Sequence, residues 1–288
     1  MKNIVWQIVM CLLMTSCATI DEGNEGNGSA KIGILKDTRD GQVYHTATFG
    51  DAGEWMTENL SYEPPMAKYA LPTPYGPPFY DYAPYYYSPN GLDQAAGKKQ
   101  NYNGGRLGFL YTWAAAMNFK NGNVLEDFSN QSMSNQGICP SNWHLPTDDE
   151  WDILEVEIAA NPVKYSTLTE PFEYYFSSGQ AFKSTISLDE KNATDGFSKA
   201  ADDGGFNVLL VGEADYYYKN RFWGTKAYFW TSVTRYEYPN DVNTTKAFCR
   251  SFNAPGDFFS GWGIDDYSEW KHYLFSVRCV KNKTAFAK

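Results

Sequence analysis

The sequence predicts a mixed α+β fold, built from two helices and many short strands. Its clearest local signal is Thr147 followed three positions later by Glu150, the spacing of a capping box that satisfies two free amides at a helix start. We expect a helix over about 148–160, because a residue that precedes proline, here Asn161, is disfavoured in the helical conformation. Three apolar residues recur at helical spacing and form its predicted buried face: Trp151, Leu154 and Ile158.

The other elements are shorter. A second helix is predicted at about 112–117, where Thr112 is a suitable N-cap and a run of alanines follows Trp113. Alternating or apolar runs bounded by Gly, Asn and polar residues predict the strands: 42–49, 54–60, 206–211, 227–233, 245–252 and 273–280. Four tryptophans fall in predicted regular structure and are assigned to the core: Trp113, Trp143, Trp151 and Trp230.

Length and charge limit the classes of function. The chain has 288 residues, of which 43% are hydrophobic and 17% aromatic, which is ample for a packed core. Its net charge of -10 argues against nucleic acid and against an anionic membrane surface as partners, because both attract clustered Lys and Arg. We therefore expect no polyanionic partner.

Residues 1–17 have the pattern of an export signal. Lys2 precedes an apolar run of about ten residues, too short to span a bilayer. The small residues that lead to Cys17 resemble the lipobox of bacterial lipoproteins, which implies cleavage before Cys17 and lipidation of its thiol. The alternative is an ordinary secretory signal with an incidental cysteine.

Residues 18–31 are rich in Gly, Asn and acids and are predicted to form a flexible tether between the lipid anchor and a domain over 32–283. Asp21 and Glu22 resemble the acidic export signal of surface lipoproteins. We therefore expect an outer membrane lipoprotein exposed at the cell surface.

An insertion rich in tyrosine and proline is predicted over 62–105, on the surface of the domain and without hydrogen-bonded ladders. Tyrosine and tryptophan on exposed loops provide flat, amphipathic faces for sugar rings or protein partners. The candidate ligand-binding residues are the tyrosines of this insertion and two tryptophans of a late loop: Tyr80, Tyr82, Tyr85, Tyr86, Tyr87, Trp262 and Trp270. Plain packing of these loops is the alternative.

Catalytic and metal-binding patterns are weak in this sequence. His45, His144 and His272 show no metal-ligand spacing, and we interpret His144 as a structural residue at a helix entrance. The segment 237–241 holds oxygen ligands suited to calcium, but an ordinary polar turn is favoured; calcium binding near Asn240 and Asp241 stays open. We expect no metal, no cofactor and no catalytic residue.

Five blocks in order resemble the Fibrobacter succinogenes major paralogous domain. They are DTRDGQVY (37–44), WMTENL (55–60), LYTWAAAM (110–117), CPSNWHLPTDDEW (139–151) and FSVRCV (275–280). The LPTDDEW segment is also similar to the helix start of sulfatase-modifying-factor domains, which share a C-type-lectin-like architecture. The resemblance implies that fold, with two helices, a small twisted antiparallel sheet and long loops.

The resemblance also bears on the cysteines. Cys139 and Cys279 occupy matching family positions, which implies a disulfide that closes a loop of about 140 residues; three buried, inert thiols are the alternative. The paired reactive cysteines of formylglycine-generating enzymes have no counterpart here, since Cys249 stands alone. We therefore expect a binding or adhesion module for a glycan or an envelope protein. A structural envelope or pilus component and a modifying-factor-like enzyme are the alternatives.

Overall fold

A computed structural model of the chain describes residues 29–71, 82–119, 135–170, 178–192, 194–235, 245–253 and 264–283. Within these ranges the fold is mixed α+β, as predicted. The helices are α1 (Gln94–Lys98), α2 (Trp113–Ala116), α3 (Asp148–Ala160), α4 (Pro162–Tyr165) and α5 (Ser178–Phe182). The strands are β1 (Lys31–Lys36), β2 (Val43–Phe49), β3 (Gly53–Met56), β4 (Lys68–Tyr69), β5 (Tyr85–Tyr87), β6 (Leu110–Tyr111), β7 (Trp143–His144), β8 (Glu213–Ala214), β9 (Asn220–Arg221), β10 (Lys226–Arg235), β11 (Lys246–Asn253), β12 (Ile264–Trp270) and β13 (Val280–Lys281).

The largest sheet joins both ends of the described chain. Its strand order is β1-β2-β3-β13-β7, and every neighbouring pair is antiparallel. Val280 joins two strands of this sheet, because it pairs with Trp55 of β3 on one side and with His144 of β7 on the other. The last strand therefore connects the sheet's N-terminal strands to the segment that leads into α3.

A second sheet contains β10, β11 and β12 in that order, all antiparallel. The strands predicted at 227–233 and 245–252 are confirmed as β10 and β11. The strands predicted at 206–211 and 273–280 are largely wrong. Apart from Val280, which begins β13, only isolated bridges form there, because successive residues of the second run pair with three different segments: Leu274 with Ala214, Phe275 with Tyr111 and Ser276 with Phe229.

The helix α3 is confirmed with its predicted bounds. Thr147 accepts a hydrogen bond from the Glu150 amide, and the Glu150 carboxylate accepts one from the Thr147 amide, which completes the capping box. The helix predicted at 112–117 is present as α2, with Thr112 as its N-cap. The other described helices have four or five residues each, too short for a periodic pattern to predict.

The prediction of a surface insertion without ladders at 62–105 is wrong for its described part. β5 pairs with β4 in parallel and with β6 in antiparallel orientation. Tyr86 and Tyr87 are buried, because their rings contact Tyr69 from β4 and enter two of the hydrophobic cores. Tyr86 and Tyr87 therefore belong to hydrophobic cores and not to an exposed surface.

The four tryptophans assigned to the core are all buried, as predicted. Trp113, Trp143 and Trp230 lie in one cluster, together with Cys139 and Cys279. Trp151 lies in a second cluster, where its ring contacts Trp55 edge to face. No helix in the described part of the chain combines the length and apolar character needed to cross a membrane.

Candidate binding site

The predicted disulfide is present. Cys139 and Cys279 are bonded, with their Cα atoms 5.9 Å apart and 140 positions apart in sequence, and both are fully buried. Cys249 is buried on β11 and stands outside this bridge. The disulfide therefore ties the segment before α3 to the residue just before β13, where it supports the fold.

The WMTENL block supplies buried polar residues to the core. Thr57 donates a hydrogen bond to the Ala201 carbonyl at 2.9 Å, and Glu58 accepts one from Arg106 Nε at 2.9 Å. His45 Nδ1 lies 3.0 Å from the same Glu58 carboxylate. Because these partners satisfy the buried groups, the block is structural. The strand predicted over 54–60 ends at Met56, so the polar half of the block lies outside it.

His144 lies at the helix entrance, where it was predicted to be structural. Its Nε2 lies 2.9 Å from Glu150 Oε1, and its Nδ1 lies 2.7 Å from Asn282 Oδ1. Burial alone would lower the pKa of His144, but the hydrogen bond and charge of Glu150 raise it above its ordinary value. The histidine therefore holds the carboxylate that closes the capping box.

The predicted contact residues separate into buried and accessible groups. Tyr86 and Tyr87 are only 8% and 4% exposed, so the prediction that they form a contact surface is wrong in this structure. Tyr82 and Tyr85 are partly exposed, and Trp270 is 36% exposed. The predictions for Cys17, Tyr80 and Trp262 concern positions outside the described residues. The segment that holds Asn240 and Asp241 also lies outside them.

Two of the accessible residues meet at one place, around His272. We call Tyr82, Tyr216, Trp270, His272 and Tyr273 the His272 cluster. The Trp270 ring stacks on the His272 imidazole, with 13° between the planes and 6.0 Å between centroids. Tyr216, Tyr82 and Tyr273 lie 5.0, 6.0 and 5.3 Å from the same imidazole. All five side chains keep some exposure to solvent.

Backbone pairing between distant segments builds this cluster. Ala214 and Leu274 exchange two hydrogen bonds, at 3.1 and 3.0 Å, which places the chain just after β8 beside the chain just after β12. Trp270, the last residue of β12, pairs with Lys246 at the start of β11. The Ala83 carbonyl accepts a hydrogen bond from Thr112 Oγ1, which fixes the chain next to Tyr82.

His272 is the polar centre of the cluster. Burial lowers its pKa to about 4, so the imidazole is neutral at pH 7. Its Nδ1 atom is buried and has no hydrogen-bond partner among the described residues. A neutral imidazole nitrogen in this state retains the capacity to donate or accept one hydrogen bond, depending on the tautomer.

Acidic residues lie next to the aromatic rings. Burial, together with the charges of Glu269 and Asp215, raises the pKa of Glu213 to about 7. Arg221, whose Nη1 lies 3.6 Å from Glu213 Oε1, opposes the shift. Burial also raises the pKa of Glu269. Burial likewise raises the pKa of Tyr273, and the three carboxylates contribute to that shift. The cluster therefore combines apolar ring faces with nearby carboxyl groups that act as hydrogen-bond donors or acceptors.

Of this site, only Tyr82 and Trp270 are predicted as contact residues from the sequence; the others are not: Tyr216, His272, Tyr273, Glu213 and Glu269. The run Tyr216-Tyr217-Tyr218 carried the same signal as the earlier tyrosine run and would have indicated Tyr216. His272 has no metal-ligand spacing and Glu213 lies in no motif, so neither carries a signal in the sequence. Among the described residues no group of three or more His, Cys, Asp and Glu side chains is arranged to hold a metal ion.

Comparison with known proteins gives one result. The model of the Fibrobacter succinogenes major domain matches residues 51–281, which is most of the chain and includes the capping box, the disulfide and the His272 cluster. Neither the curated proteins nor the solved structures contain a match to this chain. The chain therefore belongs to the Fibrobacter succinogenes major domain family.

Proposed function

We propose that this protein is an exported, lipid-anchored binding module that recognises a glycan through the His272 cluster. In this proposal the domain has a C-type-lectin-like fold, Cys17 carries the lipid, and the site faces outward from the outer membrane. The observation that carries the proposal is a set of partly exposed aromatic rings gathered around one imidazole, with the Trp270 ring stacked on His272.

The chemistry of this cluster suits a sugar. The apolar face of a pyranose ring packs on a flat aromatic ring, and Trp270 is the most exposed ring of the cluster. The carboxyl group of Glu269 is partly exposed and lies close enough to affect Tyr273, so it offers a partner for sugar hydroxyl groups.

The cysteines favour binding over modifying-factor catalysis. That chemistry needs two reactive thiols, whereas Cys139 and Cys279 are bonded to each other and Cys249 is buried. A thiol acts as a nucleophile only when its thiolate is accessible. The proposed role is therefore recognition without turnover.

Binding is tested with the full-length protein in detergent micelles, on an array of bacterial and host glycans followed by calorimetry with the best ligand. We expect Trp270→Ala to weaken binding about tenfold or more, because a central contacting tryptophan typically contributes more than about 1 kcal/mol. His272→Gln removes the imidazole and is expected to weaken binding as well. Phe197→Ala is the matched control, since Phe197 is an exposed aromatic residue outside the cluster.

Each outcome bears on the proposal. Unchanged affinity in a folded Trp270→Ala protein excludes this site. Capture of a protein from intact envelopes, with no glycan bound, favours the structural envelope or pilus component instead. The anchor is tested separately with Cys17→Ser, which is expected to lose the acyl mass and to leave the membrane fraction. A native protein without acyl chains contradicts the anchor.

A further inference from the structure

The outer strand of the large sheet presents an unusual edge. β1 lies at the end of the sheet, and no other described strand pairs with its outer side. Edge strands are normally protected from pairing by inward charges, prolines or bulges. β1 has the sequence KIGILK, in which lysines occupy only the two ends and the four residues between them carry no charge.

Two isoleucines on this strand are exposed. Ile32 is 46% and Ile34 is 70% exposed, and both lie on the same face because side chains alternate along a strand. On this face one row of residues crosses the sheet from its buried centre: Val280 pairs with Trp55, Trp55 with Ala47, and Ala47 with Ile32. Val280, Trp55 and Ala47 are buried and Ile32 is exposed, so the apolar row ends at the open edge of the sheet.

The sequence of β1 is complementary to itself. In an antiparallel pair centred on Gly33, Ile32 of each copy lies opposite Ile34 of the other, which continues the apolar row into the second sheet. In this register Lys31 faces Leu35 and Lys36 faces Ala30, so no lysine lies opposite a lysine. A two-fold interface requires this kind of self-complementary surface.

Gly33 suits the centre of such a pair. A Cβ atom at this position would lie 2.6 Å from Thr46 Oγ1 and 3.0 Å from Glu54 Oε1, so side chains of the neighbouring strands already occupy that space. Glu54 itself is held by Lys281, whose Nζ lies 2.6 Å away. The absence of a side chain at Gly33 therefore leaves room for the Thr46 and Glu54 side chains at this position of the sheet.

From these observations we infer that two copies of the protein associate through antiparallel pairing of their β1 strands, with Ile32 opposite Ile34. A single six-residue ladder is a small interface, so the association is weak in solution. It strengthens when both copies are confined to one membrane, because confinement raises their effective concentration. Two copies bound in this way present two His272 clusters, and this inference does not depend on what those clusters bind.

Cysteine cross-linking tests the register. The full-length Ile32→Cys and Ile34→Cys proteins are mixed in detergent and oxidised, and each is also oxidised alone. We expect the mixture to give disulfide-linked dimers about tenfold faster, because only the mixture places cysteines directly opposite each other. Val156→Cys on α3, another exposed apolar position, is the matched control. Equal rates in all three samples overturn the register.

Sedimentation of the full-length protein in density-matched detergent tests the association itself. We expect a reversible dimer in the native protein and about tenfold weaker association for Ile34→Lys, because the lysine would lie in an apolar row. Val156→Lys is expected to dimerise like the native protein. A native chain that stays monomeric up to about 1 mM, or a dimer that Ile34→Lys leaves unchanged, overturns the inference.

Discussion

Arg278 Nε donates a hydrogen bond to Asn59 Oδ1 at 3.0 Å, across 219 positions of sequence. Arg278 also donates to the carbonyls of Phe206 and Asn207, and its guanidinium lies over the Phe206 ring. Asn59 in turn donates to the Leu107 carbonyl at 3.0 Å. One buried polar centre thus joins the second and the last of the five family blocks and satisfies backbone groups that lie outside the described strands.

Arg278→Lys is expected to destabilise the fold by about 3 to 5 kcal/mol, because a lysine cannot reproduce the planar set of donors and would leave buried acceptors unpaired. Urea unfolding followed by tryptophan fluorescence measures the change. Arg235→Lys is the control, since Arg235 is exposed at the end of β10. Equal midpoints for the two variants contradict the proposed role of Arg278.

The disulfide is expected to contribute roughly 3 to 5 kcal/mol, because it closes a loop of 140 positions and so restricts the unfolded chain. The double variant Cys139→Ala with Cys279→Ala measures this by thermal and urea unfolding. Cys249→Ala is the matched control, since Cys249 is equally buried but outside the bridge. A double variant no less stable than this control contradicts the estimate. Non-reducing peptide mapping checks the pairing directly.

Elements with local signals were predictable from the sequence. α3 is bounded by Thr147, Glu150 and Pro162, each of which acts on its own few neighbours, so its limits follow without knowledge of the rest of the chain. The apolar residues of the run 206–211 are buried in two of the hydrophobic cores. An apolar run alone does not show whether a segment is a strand or an irregular segment between sheets. The role of such a run depends on tertiary contacts that no local pattern encodes.

The candidate site was predictable only in part, for the same reason. Tyr82 and Trp270 were identified by residue type, since exposed aromatic residues in loops favour binding. They meet because Phe275 pairs with Tyr111, next to the Thr112 whose hydroxyl holds the chain at Ala83. A second pairing, of Ala214 with Leu274, connects segments 60 residues apart. That pairing also brings Tyr216 and Glu213 to the site, and a single sequence contains no signal for it. Tyr86 and Tyr87 were misassigned because a strand that packs on both sides buries tyrosines as readily as it buries leucines.

Glu213→Gln is expected to stabilise the protein at pH 8 and to change little at pH 4. The folded-state pKa is about 7 against an ordinary value of 4.5, so ionisation costs the folded state more than the unfolded state. Stability is therefore lost as pH rises from 4.5 to 7, by up to about 3 kcal/mol, and the variant avoids this loss. Urea midpoints at both pH values measure it. Glu190→Gln, at an exposed position, is the control; a gain that does not depend on pH contradicts the pKa assignment.

His272→Gln and His144→Gln are expected to show opposite pH dependence. The pKa of His272 falls from 6.5 to about 4, so the unfolded chain binds a proton first and stability is lost as pH falls through this interval, by up to about 3 kcal/mol. His144 has a raised pKa, so its contribution is fully present below pH 6.5 and is lost as pH rises through its folded-state pKa. Relative to the native protein, His272→Gln should therefore be least destabilising at pH 4.5, and His144→Gln most destabilising there. Urea unfolding at pH 4.5 and 8 measures both effects, and imidazole titration by NMR should find one histidine still neutral at pH 5. If the stability of the two variants changes with pH in the same direction, that result contradicts the burial of His272 within its aromatic cluster.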